Sequence, residues 1–177
     1  DTVIGEIGGK TLMTFDFTFC NFMFGLLLEN KTSAQAALHI RSLKQRLADH
    51  GLDFGKLFPV LLTDNGGEFA DVFAFELDLQ GRPQSHLFFC DPMRSSQKPF
   101  VEKNHTLFRD IVPKGESFQA FSQDTINLIF SHVNSVRRNS LNGKSPYEVF
   151  SFTFGSELAD LLGIQRIPAR DVIQSPL

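Results

Sequence analysis

Apolar positions recur with two different periods along this chain, and the switches between them divide it into elements. Thr2 to Ile4 is short and β-branched. Gly8-Gly9 reads as a hairpin turn, and Lys10 to Phe19 and Phe22 to Leu28 are β-rich runs separated by Cys20-Asn21. Three antiparallel strands fit. Thr32-Ser33 offers a helix start, after which Ala36, Ala37, Ile40, Leu43 and Leu47 recur at helical spacing. Arg41, Lys44 and Arg46 fall on other faces, and Gly51 closes the helix. Val60 to Thr63 is a short strand whose unbroken apolar character suits a sheet buried on both faces. Glu68 to Leu79 reads as a helix broken at Gly81-Arg82-Pro83, and His86 to Cys90 as another strand. Met93 to Lys98 is loop-like. A helix from Pro99 puts Val101, Phe108 and Ile111 on one face and ends at Pro113-Lys114-Gly115. Asp124 to Val136 is amphipathic, Ser145-Pro146 opens a helical segment through Phe150, and Ile164 to Leu177 has no clear period.

That order, three strands, helix, strand, helix, strand and then helices, predicts an α/β fold with helices on both faces of a mixed sheet. The length, 177 residues, is that of one domain able to bury a core. No stretch approaches the ~18 uncharged apolar residues of a membrane helix, and no secretory signal opens the chain. A cytoplasmic protein without membrane association is therefore expected, with Cys20 and Cys90 as reduced packing thiols. The net charge of −3 is not that of an isolated nucleic-acid binder. A site that holds divalent cations, however, must itself be acidic. The 20 phenylalanines read mostly as core, with base stacking as the alternative for some.

Three stretches carry candidate chemistry. In "FPVLLTDNGGEF", Phe58 to Phe69, an apolar strand ends on Asp64, Asn65 and two glycines. Active sites form just past the carboxyl ends of strands in open parallel sheets. Gly66 and Gly67 would let the backbone turn sharply and a bulky substrate approach. The same residues also fit a plain turn in which Asp64 caps the helix carrying Phe69. Asp1 opens the first strand; were strands one and four neighbours, Asp1 and Asp64 would face each other, and two close carboxylates repel unless a cation lies between them. In "QKPFVEKNHTLFRD", Lys98, Glu102, His105 and Arg109 lie along one helical stripe. That is either an acid among phosphate-binding donors or a solvated charged face.

Together these resemble the acidic triad of the retroviral integrase and DDE transposase superfamily, and more closely the transposases of the insertion sequence thirty family. The residues carrying the resemblance are "DTVIG" at the start, "TDNGGEF" at 63–69, "FFCDP" at 88–92, "EKNHTLFRDIVPKG" at 102–115 and "HVNSVRRNSLNGKSPYEVF" at 132–150. They span nearly the whole chain, in order.

The resemblance implies one RNase H-like catalytic core over 1–177, built on a five-stranded mixed sheet, with the family's N-terminal DNA-binding region not included. It implies that Asp1, Asp64 and Glu102 hold two divalent cations, magnesium or in its place manganese, and that the activity is metal-dependent cleavage and strand transfer of DNA. Asn65, Lys98, Lys103, His105 and Arg109 would contact DNA near the metals, and Arg137, Arg138 and Lys144 would form a second basic patch. Tyr147 and Phe150 read as packing. Implied partners are the element ends, target DNA and further copies of the same chain, in a protein associated with the nucleoid when bound. Two departures stand out: Met93 where an aromatic is expected and Pro99 where a glycine usually precedes the Glu helix. Asp16 is a weaker candidate acid. Two alternatives remain open: an RNase H-like domain that binds nucleic acid without cutting it, and a different RNase H-like nuclease.

Overall fold

The structure, a computed structural model, describes residues 1–91 and 99–173, with the backbone alone for 99–102. It divides into two compact units, one of Asp1–Leu27 with Lys98–Leu177 and one of Leu28–Gln97.

In the first unit β1 (Thr2–Ile4), β2 (Thr11–Phe17) and β3 (Phe22–Leu28) form a sheet in the order β1-β2-β3. β1 runs antiparallel to β2, with Thr2 opposite Met13 and Ile4 opposite Thr11. Gly8 supplies the left-handed φ of +81° that the first turn needs. Strand alternation then sorts the side chains. Phe15 stacks on Phe24 with ring centroids 5.0 Å apart, and Phe17 meets Phe150 at 5.0 Å. Phe150 belongs to α6 (Pro146–Phe154), which starts with a reciprocal capping box between Ser145 and Glu148. The other face of β2 presents Leu12, Thr14 and Asp16 towards α4 (Pro99–Ile111) and α5 (Gln123–Ser135). A Cβ at Gly25 would fall 2.6 Å from Leu12 Cδ1 and 2.7 Å from the Phe130 ring, so β3 has no side chain where α5 closes on it. Helices on both faces of a sheet are thus present within this unit.

β3 ends the sheet order, yet its edge is covered. The Met23 N–H donates to Asn134 Oδ1 (2.9 Å) while Asn134 Nδ2 donates to Met23 O (2.6 Å). Gln123 repeats the device, accepting from Leu27 N–H (2.9 Å) and donating to Gly25 O (2.8 Å). Two amides of α5 therefore occupy groups that a further strand would use.

In the second unit α1 (Ser33–Asp49) is capped by Thr32, whose hydroxyl accepts from Gln35 N–H. The short α2 (Phe54–Leu57) follows, then β4 (Val60–Thr63) in parallel register with β5 (His86–Phe89), Leu62 beside Phe88. Five strands are therefore present, arranged as three and two among the described residues. β4 is not buried on both faces as its composition suggested: Val60 is 61% and Leu62 47% exposed. The expected helix over 68–79 is also two pieces, a 3-10 turn at Gly67–Phe69 and α3 (Val72–Glu76), because Asp71 stops the first and caps the second through Ala74 N–H.

Lys44 is not on an outer face of α1 but 3% exposed. Its ammonium donates to the carbonyls of Ala74 (2.8 Å), Phe75 (2.9 Å) and Leu77 (2.6 Å), the oxygens that the end of α3 leaves open. Burial pulls its pKa down to about 8, opposed by the charge of Asp78. Lys44→Met keeps the bulk but bares those carbonyls, and a loss of about 2 kcal/mol is expected in urea denaturation. Cys20 and Cys90 are buried free thiols, as expected. Tyr147 (8% exposed) and Phe150 (0%) pack as expected too.

Candidate active site

The β1–β2 ladder continues past β1 to Asp1, which exchanges backbone hydrogen bonds with Thr14 (3.0 and 2.8 Å). Directly opposed residues of an antiparallel pair project on the same face. Asp1 therefore shares a face with Thr14, and with Asp16 two positions on. α4 lies over this face: Thr14 Oγ1 is 3.0 Å from His105 Nε2, and Asn104 Nδ2 donates to Asp16 Oδ1 at 2.7 Å. The Asp1 carboxylate accepts from the Thr2 N–H at 2.8 Å. The helix register against β2 is thus set at residues 104 and 105, one turn from Glu102, whose side chain lies outside the described atoms. Asp1 and the start of α4 share one face of one sheet.

Buried Phe108 and Ile111 hold α4 in place. Arg109 turns to the protein rather than outward, donating to Ile4 O (2.7 Å) and Pro113 O (3.2 Å) beside the Phe108 and Phe118 rings. Lys103 is exposed, His105 is partly exposed, and Lys98 falls outside the described residues.

Asp16 has a strained setting. Its Oδ2 is buried without a hydrogen-bond partner among the described residues, as is Asn104 Oδ1. Burial raises its pKa to about 6, against the opposing Asn104 amide and Arg138 charge. A carboxyl raised in the folded state binds its proton more tightly there, so its contribution is present below about pH 4 and lost as pH rises through about 6. Asp16→Asn should remove that slope and stabilise the protein at pH 7 by about 1–2 kcal/mol. Denaturation at several values between pH 4 and 7 measures both effects.

In the second unit β4 delivers Asp64. The capping role open to it in the sequence belongs to Asp71, and the 3-10 turn starts at Gly66 with no side-chain cap. Asp64 Oδ1 is buried and accepts no hydrogen bond among the described residues. Asn65 is exposed beside it. The glycines differ from expectation. Gly66 has φ −74° and ψ 145°, open to any residue, but a Cβ there would lie 2.5 Å from Glu68 Oε2. Gly67 meets nothing within 4 Å. Glu68 is 1% exposed and paired with Lys31 at 3.3 Å.

The second basic patch is smaller than the sequence suggests. Arg137 and Lys144 are exposed, whereas Arg138 is 4% exposed and donates to Val133 O at 3.2 Å. No group of three or more His, Cys, Asp or Glu side chains is placed to hold a metal among the described residues.

No family model matches the chain. Curated relatives do. It is 27% identical over 150 residues, 85% of its length, to the ORF3 protein of Spiroplasma virus SpV1-R8A2 B, named as an integrase. It is 30% identical over 91 residues, 51% of its length, to the transposase for insertion sequence element IS1086 of Cupriavidus metallidurans. It is 26% identical over 135 residues, 73% of its length, to transposase InsI for insertion sequence element IS30C of Escherichia coli. The chain is thus similar to several insertion-sequence transposases and to a viral integrase, at 26–30% identity. It spans 44% of the viral relative's length and 26% and 34% of the two transposases.

Two groups at the candidate site have surroundings that the sequence does not spell out. Glu68 looked like an ordinary early helix acid, and its burial depends on Lys31, too far away in sequence to suggest a pair. Asn104, in "EKNHTLFRDIVPKG", fits helix packing and hydrogen bonding as well as a role at the site, and its amide joins α4 to both Asp16 and Asn21 O (3.0 Å). One signal was available: an asparagine on the buried side of an amphipathic helix needs partners for a polar side chain that it would otherwise bury bare.

Proposed function

We propose that this chain is the catalytic core of a DDE-type transposase, with an RNase H-like fold on a five-stranded mixed sheet, acting on DNA by cleavage and strand transfer. The observation that carries the reading is Asp64 Oδ1. A carboxylate oxygen at a strand end, buried and without a hydrogen bond among the described residues, has no evident structural role and has the hard-oxygen chemistry that divalent cations prefer. Asp1, Asp64 and Glu102 are the residues that would hold two such ions, magnesium or manganese. Bound there, the ions would activate a water or 3′-hydroxyl and stabilise the departing oxygen of an in-line displacement.

The protein's own groups then have simple tasks. The three carboxylates would bind the ions. Asn65, exposed beside Asp64, and Lys103, exposed on α4, offer donors to backbone phosphates, and Arg137 and Lys144 extend that contact. His105, fixed by Thr14, orients the first turn of α4. No side chain attacks the DNA, so one site serves both cleavage and joining. DNA and further copies of the chain are the proposed partners. No helix among the described residues is long and apolar enough to cross a membrane.

The test is a magnesium or manganese titration of the intact protein followed by thermal melting. Metal bound to the native state alone stabilises it by about 2.7 kcal/mol at a hundred times Kd, a rise of about 5 °C or more. The rise should vanish in Asp64→Asn. Equal rises in both proteins, or none with DNA bound, would overturn the reading.

A further inference from the structure

The stretch from Asp64 to Glu68 closes on itself around a carboxylate that the reaction above does not use. Glu68 is 1% exposed although it lies one residue beyond exposed Gly67. Lys31, in the turn before α1, reaches its Oε1 at 3.3 Å from a side chain that is 39% exposed. Gly66 leaves the space into which that carboxylate folds: a Cβ at 66 would lie 2.5 Å from Oε2 and 2.8 Å from Cδ of Glu68. Backbone conformation does not require glycine at 66, and neither space nor conformation requires it at 67, so what residue 66 provides is room for this one side chain.

A buried carboxylate is costly unless paired, so the Lys31 contact gives Glu68 a defined position. From that position it bears on the backbone two residues after Asp64. With β4 holding one side through the Cys90 N–H to Thr63 O bond (2.7 Å), the peptide units that set the direction of Asp64 are held from both ends.

We propose that Glu68 is a positioning residue for Asp64, anchored by Lys31 and fitted beneath Gly66, and that it aims the Asp64 carboxylate for metal binding. This rests on the reading of Asp64 given above. Groups that orient metal ligands typically contribute about 10- to 100-fold to metal affinity or activity.

The experiment uses the intact protein, with Mn²⁺ binding followed by electron paramagnetic resonance and nicking of supercoiled plasmid DNA followed by gel. Gly66→Ala should weaken Mn²⁺ binding and lower kcat by at least about tenfold, with KM for DNA within about twofold. Glu68→Ala should lower both similarly, and adding Gly66→Ala to it should cost no more, because the clash has gone. Lys31→Met, which leaves the loop unaltered, should shift both in the same direction. Mn²⁺ affinity and kcat near wild type in Gly66→Ala and Lys31→Met would overturn the proposal, as would full additivity in the double variant. If Asp64→Asn retains nicking, the reading of the site itself fails, which is a different result from a silent Glu68.

Discussion

Glu102→Gln in the intact protein is expected to lower metal-dependent nicking of DNA by at least about 100-fold while leaving its melting temperature within a few degrees of wild type. The change keeps shape and removes charge. It falls on the first turn of α4, whose seat against β2 is made elsewhere, by Asn104 on Asp16, by His105 beside Thr14 and by buried Phe108 and Ile111. Folding should therefore survive and only the cation site should suffer. A plasmid-nicking assay measures the effect. Unchanged activity would remove Glu102 from the chemistry and favour a nucleic-acid-binding domain that does not cut. If nicking is lost as expected, supplying a free 3′-end separates the remaining possibilities. Joining of that end to a second duplex is the outcome for a transposase core, and resolution of branched DNA without joining is the outcome for another nuclease of the same fold.

Asn134→Leu should cost about 3 kcal/mol or more, a fall of about 6–12 °C in the melting temperature. Asn134 is fully buried, and its amide serves Met23 N–H, Met23 O and Phe130 O. Leucine fills a comparable volume but leaves the N–H and carbonyl of Met23 without partners in a dry interior, and each bare group carries its own desolvation cost. Urea denaturation checks the magnitude. A loss under about 1 kcal/mol would mean that water reaches the edge of β3 and replaces the amide.

The three strands of the first unit were legible almost to the residue because their runs are β-rich and their turns carry Gly8 and Asn21, both at positive φ. The starts of α1 and α6 were legible because Thr32 and Ser145 announce caps. α2 and α7 (Ser156–Leu161), four and six residues long, are too short to show a period. The split at Asp71 was hidden because an aspartate inside an apolar pattern looks like a solvent-facing position until its hydrogen bond to Ala74 N–H is seen. At the candidate site the residue types were legible and their surroundings were not. The sequence left Asp64 between cap and ligand, and Asp71 holds the cap. It counted Arg109 and Arg138 as free cations, whereas both guanidiniums turn to backbone carbonyls. Arginine's long stem lets it fold inward or outward from the same backbone position, and one sequence carries no signal for which.

The amides of Gln123 and Asn134 also bear on how copies of this chain could associate. A strand from a neighbouring molecule gains its hold by taking the open hydrogen-bonding groups of a sheet edge, and along β3 those of Met23, Gly25 and Leu27 are already engaged. A continuous sheet running from one copy into the next through β3 is therefore disfavoured. Contact between copies along this edge would have to be made by side chains instead.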